Sequence, residues 1–172
     1  KDISGTTIET IAVGSGNVSF STNTVTINPA SNLGYATGYN ITMASGVIQD
    51  IAGNSYAGIS STSTLNFSTG AAPDTTNPTL SSAVPADGGS NIAVDANIIL
   101  TFSEAIAAGT GNIVIYDSSS AVATINVLDV TQININGNTL TINPSVTLAN
   151  NEAHYVQIAA SAIDDLAGNS YA

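Results

Sequence analysis

The residues best equipped for chemistry in this 172-residue chain are oxygen donors: 12 Asp and Glu stand against a single Lys or Arg, Lys1. Two segments repeat the same donors, Asp50-Ile-Ala-Gly-Asn54 and Asp165-Leu-Ala-Gly-Asn169, and Asp164 precedes the second. Asp74 and Glu104 add two more acids without a basic neighbour. Carboxylate, carboxamide and peptide oxygens are what a hard cation such as Ca²⁺ takes, roughly six to eight at a time. The chain has nothing else to neutralise them, and at a net charge of −11 it repels itself. The same segments also serve as plain turns, in which Asp caps locally, Gly takes positive φ and Asn tolerates the left-handed region. No Asp-x-Asp-x-Asp-Gly loop occurs. The sequence leaves both readings open.

Other chemistries find less support. Nucleic acid and anionic lipid surfaces are bound by clustered Lys and Arg, which are missing. Without Cys there is no disulfide, thiolate metal site or thiol nucleophile. His154 is the one histidine, and it precedes the alternating Val156 and Ile158 as Tyr39 precedes Ile41 and Met43. That pattern predicts a core-facing position at a strand start rather than a triad base. No Gly-x-Ser-x-Gly elbow or phosphate loop occurs, and no pair of carboxylates is marked out for glycosidase work. The expectation is a protein that is not an enzyme. Six Tyr residues could form a sugar-stacking platform, although Tyr56 and Tyr171 occupy equivalent places beside the two Gly-Asn turns, which favours a structural contact.

Those turns belong to a longer repeat. Thr26-Ile-Asn-Pro29 returns as Thr141-Ile-Asn-Pro144, 115 residues later. From Asn23 to Ala57 that offset holds without a gap, and 16 of 35 positions are identical. The chain therefore reads as two copies of one module of about 100 residues, a common domain size. The expected organisation is a partial module over 1–73, a linker over 74–78 and a second module over 79–172 lacking its last strand. Both copies read as incomplete, a window from a longer tandem array.

The elements that must position these residues are strands. Apolar or alternating runs occur at Ile98–Phe102, Ala123–Val127, Ile133–Ile135 and Thr139–Ile142, with Pro29, Pro78, Pro85 and Pro144 at run ends. Asn136-Gly137 predicts a type I′ hairpin turn, with Ser21-Thr22 in the same place in the first copy. Only Ser103–Ala108 hints at helix. Polarity comes from 21 Ser, 21 Thr and 19 Asn, and mean hydropathy is +0.26, against disorder. No apolar run exceeds about four residues, too short for a spanning helix. About seven short strands per module predict an all-β, immunoglobulin-like sandwich of Greek-key type.

Three segments carry a resemblance. They are Val84-Pro-Ala-Asp-Gly-Gly-Ser-Asn-Ile92 after Asn77-Pro-Thr-Leu80, Ile98-Ile-Leu-Thr-Phe-Ser-Glu-Ala105, and Asp165-Leu-Ala-Gly-Asn169. In that order they resemble the bacterial Ig-like domains found in tandem in surface-layer proteins and large secreted adhesins. Asp74-Thr-Thr-Asn-Pro78 is similar to the segment that joins such modules. The resemblance implies a β-sandwich spacer in an extracellular or cell-surface bacterial protein, with neighbouring repeats or identical chains as partners. It also implies calcium at module junctions in some arrays. In that topology Asp74, Glu104, Asp164, Asp165 and Asn169 converge at one end of the second module. Asp50 and Asn54 would serve the preceding junction. Two alternatives stay in play: a module binding glycan or a partner surface through its loops, and a filament subunit assembled by strand exchange between chains.

Overall fold

The computed structural model describes residues 1–171, and every regular element in it is a strand. Two compact units divide the chain, Lys1–Ala72 and Pro73–Ala172.

In the first unit, β1 (Val18–Ser21) and β2 (Thr24–Ile27) form an antiparallel hairpin, and β3 (Gly38–Asn40) pairs with β4 (Asn66–Ser68). The other edge of β3 is held by the start of the chain: Asp2 bridges Tyr39, and the Asn40 N–H donates to the Lys1 carbonyl. Tyr39 is the one buried large apolar side chain among this unit's described residues. Its ring lies 5.8 Å from that of Phe67, and its hydroxyl accepts the Gly34 N–H.

The second unit contains β5 (Leu80–Val84), β6 (Ile98–Phe102), β7 (Ile106–Ala108), β8 (Asn112–Tyr116), β9 (Ala121–Asn126), β10 (Ile133–Asn136), β11 (Thr139–Ile142), β12 (Tyr155–Ile158) and β13 (Ile163–Asp165). They make a four-stranded sheet in the order β10-β11-β6-β5, a three-stranded sheet β12-β8-β9 and a ribbon β13-β7, all antiparallel. Because side chains alternate across a strand, every second residue faces inward. Leu100, Phe102, Ile133, Leu140 and Ile142 from one sheet form a single core with Ile113, Ile115 and Ile125 from the other. Ile106 and Ile163 of the ribbon join the same core. The strand order is that of the ABED and CF strands of an immunoglobulin-like sandwich.

Two local expectations change. Ser103–Ala108 is not helical, because Ile106–Ala108 pairs with β13. Gly109 makes that approach possible, since its N–H donates to the Ala162 carbonyl and a Cβ there would overlap the Ser161 carbonyl oxygen. The hairpin turn sits one residue later than predicted. Asn136 pairs with Thr139, so the loop is Gly137-Asn138, and only Gly137 has positive φ (59°). That is the pattern of a type II′ turn, with glycine at its first position.

The first-unit hairpin repeats this geometry at the same 115-residue offset, with Val18↔Ile27 and Ser21↔Thr24 matching Ile133↔Ile142 and Asn136↔Thr139. Thr22 occupies the glycine's place at φ 54°. A β-branched residue there is strained, because its Cβ crowds the following carbonyl. Thr22→Gly is expected to stabilise the first unit by about 1 kcal/mol, and Gly137→Thr to destabilise the second by about as much. Amide hydrogen exchange across Val18–Ile27 and Ile133–Ile142 reads both changes.

Candidate functional site

The Asp-x-Ala-Gly-Asn segments fold alike because one carboxylate can answer several donors within a five-residue turn. In the second unit, Asp165 Oδ1 accepts the N–H groups of Ala167 and Asn169, both at 2.8 Å, and Oδ2 accepts the Asn169 side-chain amide at 2.7 Å. In the first unit, Asp50 Oδ1 accepts the N–H groups of Ala52 (2.9 Å) and Asn54 (2.8 Å), and Oδ2 accepts the Asn54 amide at 2.8 Å. Gly53 and Gly168 take the positive φ, 88° and 91°, that closes each turn. The turn chemistry is thus present in both units. The environments differ, since Asp50 is exposed and Asp165 is buried, at 4% exposure.

Asp165 ends strand β13 rather than lying in an open loop, and the alternation of that strand separates it from its neighbour. Asp164 points the other way. It takes the Ser170 hydroxyl on Oδ1, and its Oδ2 lies beside Gly109. Glu104 follows the end of β6, where Ser103 is clamped to Thr79: the Ser103 N–H donates to the Thr79 carbonyl at 2.8 Å, and the Thr79 N–H donates to Ser103 Oγ at 3.0 Å. Asp74 is set by an Asx turn, its Oδ1 accepting the Thr76 N–H at 3.0 Å. The Asn169 amide also reaches the Asp74 carbonyl, at 3.3 Å.

These supports bring the carboxylates of Asp74, Glu104 and Asp165 together, with one oxygen from each within 4.8 Å of the others. They line a small cleft with Ala105, Leu166 and Ala167. Of the residues predicted from sequence, these three converge, Asn169 buttresses two of them, and Asp164 is turned aside. Asp50 and Asn54 form their own turn, and Asp50 belongs to no cluster of three acids among the described residues. Thr76 and Ser103 were not anticipated as positioning residues. Asp74-Thr75-Thr76 is nonetheless a legible Asx-turn pattern.

The electrostatics are uneven. The Asn169 amide, aided by the N–H groups of Asn169 and Ala167, holds the Asp165 carboxyl below its ordinary value against the opposing effect of burial. Burial first, then the charges of Asp74 and Asp165, push Glu104 above its ordinary value. No hydrogen bond to the Glu104 carboxylate contributes. The cluster therefore carries like charge held close without a countercharge. Oxygens on opposite sides of one Ca²⁺ lie at most about 5 Å apart, so the observed spacing fits a shared ion. Backbone carbonyls and water would complete the shell.

The aromatic reading is narrowed by packing. Tyr116 and Tyr155 pair across β8 and β12 and stack on each other at 4.9 Å with planes 7° apart, so each covers one face of its neighbour. Tyr171 packs edge-on against Phe102 at 5.2 Å, whereas its counterpart Tyr56 is exposed. His154 is half-buried just before β12, and its Nε2 is enclosed without a partner.

These shifts set a pH dependence. Asp165, with its folded pKa lowered, stabilises the fold above its unfolded pKa, and that contribution fades as pH falls through the folded value. Glu104, with its folded pKa raised, favours the fold when protonated and opposes it once pH rises through the raised value. In Asp165→Ala the acid-side loss of stability in the second unit should flatten. In Glu104→Gln, cation-free stability near neutral pH should rise. Thermal unfolding followed from about pH 2 to about pH 8, resolved by unit, checks both.

The comparison of this chain with known proteins agrees with its strand order. No curated protein and no solved structure matches it significantly. One family profile does, the Bacterial Ig-like domain, over residues 2–69 and 74–172. That family is a non-catalytic β-sandwich that occurs in bacterial surface proteins. No helix is long and apolar enough to cross a membrane among the described residues. By that match and by the sheet order of its second unit, the chain belongs to the bacterial Ig-like domain family.

Proposed function

We propose that the chain is a spacer segment of an extracellular bacterial surface protein, and that Ca²⁺ at Asp74, Glu104 and Asp165 rigidifies the start of its second unit. The observation behind this reading is the gathering of three carboxylates, one oxygen of each within 4.8 Å of the others, of which Glu104 is relieved by no hydrogen bond. Asp74 lies two positions inside the second unit, which begins at Pro73. An ion shared by Asp74 and Asp165 would fasten that leading segment to β13, and Glu104 would fasten it to the end of β6. The free tether ahead of the sandwich would shorten, and bending there would cost more. Adhesin, surface-layer and fibre settings are all compatible with such a part.

Binding to the folded state alone raises stability by mass action, about 3 kcal/mol at a hundredfold excess over Kd. The full chain titrated with CaCl₂ is expected to show a higher melting temperature for the second unit and slower exchange near Thr76. EDTA should reverse both. Asp74→Asn and Glu104→Gln should abolish the response to calcium, and Glu104→Gln should do so while the cation-free protein becomes more stable. A melting curve indifferent to millimolar calcium, with the same solution dimensions in EDTA, would remove the ion from the account and leave the spacer reading to stand on the fold alone.

A further inference from the structure

The turn that joins β10 to β11 carries a dipeptide that the cation site does not use. Among 19 asparagines, Asn136 is the one followed by glycine. The Asn143 N–H donates to the Gln132 carbonyl at 2.7 Å, which sets the phase of the ladder. Alternate pairs, Asn134↔Thr141 and Asn136↔Thr139, therefore exchange their backbone hydrogen bonds. The Gly137 N–H lies outside those exchanges and meets no acceptor among the described residues. The Asn136 carboxamide is likewise tied to no partner among them, and both residues are exposed. A Cβ at Gly137 would have nothing within 4 Å, so the space beside its nitrogen is open. Comparable asparagines are held. Asn54 and Asn169, each followed by serine, donate their carboxamides to Asp50 and Asp165 at 2.8 and 2.7 Å. Asn138 donates its carboxamide to the Phe102 carbonyl at 3.0 Å, and the N–H that follows it belongs to the Asn136↔Thr139 pair.

We propose that Asn136 is a site of spontaneous covalent modification, at which the folded turn lets the chain deamidate itself. The Gly137 nitrogen attacks Cγ of Asn136. An N–Cγ bond forms, the Cγ–Nδ2 bond breaks, and the amide proton leaves with Nδ2 as ammonia. Because that N–H and that carboxamide are both unbonded, closing the imide ring breaks no hydrogen bond of the hairpin. Water then opens the ring. Addition at Cγ leaves aspartate, and addition at the backbone carbonyl leaves isoaspartate, whose main chain is one atom longer. The longer chain enters a two-residue loop that is stapled across the end of β6. There the Phe102 N–H donates to the Asn138 carbonyl at 2.8 Å, and the Ile106 N–H to the Gly137 carbonyl at 2.9 Å. Isoaspartate loosens both bonds, whereas aspartate only adds charge. The first unit has Ser21-Thr22 in this place, so its hairpin stays unmodified. Calcium has no part in this chemistry.

The test is to hold the full chain at body temperature in mildly alkaline buffer, where the attacking nitrogen loses its proton more readily. A synthetic peptide with the sequence of Ile133–Ile142 is aged beside it. Cleavage after glutamate releases Ala105–Glu152, and fragment masses place each amide-to-acid change. Asn136 should convert at least about tenfold ahead of every other asparagine, since only its neighbour has no Cβ beside the attacking nitrogen. A protease that cuts before aspartate should cut at position 136 in part of the product and spare the isoaspartate form. By amide exchange, the isoaspartate form should lose protection at Phe102 and Ile106, while Asn136→Asp keeps it. Asn136→Ser, which copies Ser21 of the first unit, should stay unmodified with its hairpin intact. Three results would overturn the proposal. One is a folded chain that stays unchanged while the peptide converts, which would mean that the fold protects the turn. Another is earlier conversion at a different asparagine. The last is unaltered protection at Phe102 and Ile106 in chain already converted to isoaspartate.

Discussion

A sheet with one apolar face is stable in water only when that face is covered, and most of this molecule follows from that constraint. In the second unit two sheets cover each other, with Ile113, Ile115, Leu140, Ile142 and Ile163 all at 0% exposure. Once they are locked, the segments leaving β6 and β13 have no freedom in where they emerge. Glu104 and Asp165 meet because Phe102 and Ile163, two residues away from each, are fixed in one core. The carboxylate cluster is a by-product of burial. Its like charges are held by packing and by the Asn169 amide, at an electrostatic cost that falls on Glu104.

In the first unit the matching hairpin is less deeply buried. Its hairpin has the register of its counterpart, and its Asp50 turn has the same hydrogen bonds as that of Asp165. Yet Val25 and Ile27 are only half-buried and Phe20 is 56% exposed. Local structure is therefore not what distinguishes the units. What differs is how far the same side chains are covered, Leu140 and Ile142 fully and Val25 and Ile27 by half.

The extreme composition acts alongside this geometry. With Lys1 as the one Lys or Arg, the acids of the second unit have no Lys or Arg within that unit to pair with. Their relief must come from amides and N–H groups, as for Asp165, from a proton, or from a cation supplied by the solvent. Ser, Thr and Asn supply the turns and the polar surface. The charge that remains is therefore concentrated at a few loop and strand ends and not spread over the faces.

The class of fold was legible before any coordinates, because alternation of apolar residues, prolines at run ends and the 115-residue repeat are encoded along the chain. The Asp-x-Ala-Gly-Asn turns were equally legible, since their hydrogen bonds close within five residues. Ser103–Ala108 was misread because its strand pairing depends on β13, more than fifty residues away, and on the lack of a Cβ at Gly109. The turn register at Gly137-Asn138 escaped for a related reason, as the pairing of Asn136 with Thr139 fixes the loop and the dipeptide preference does not. Which acids share one cleft was beyond sequence altogether. Asp164 and Asp165 are adjacent and chemically alike, and only the docking of β13 against β7 decided which of them faces Asp74 and Glu104. Short-range patterning specifies what each segment becomes, whereas the meeting of segments 30 and 90 residues apart is settled by packing energy summed over the whole core.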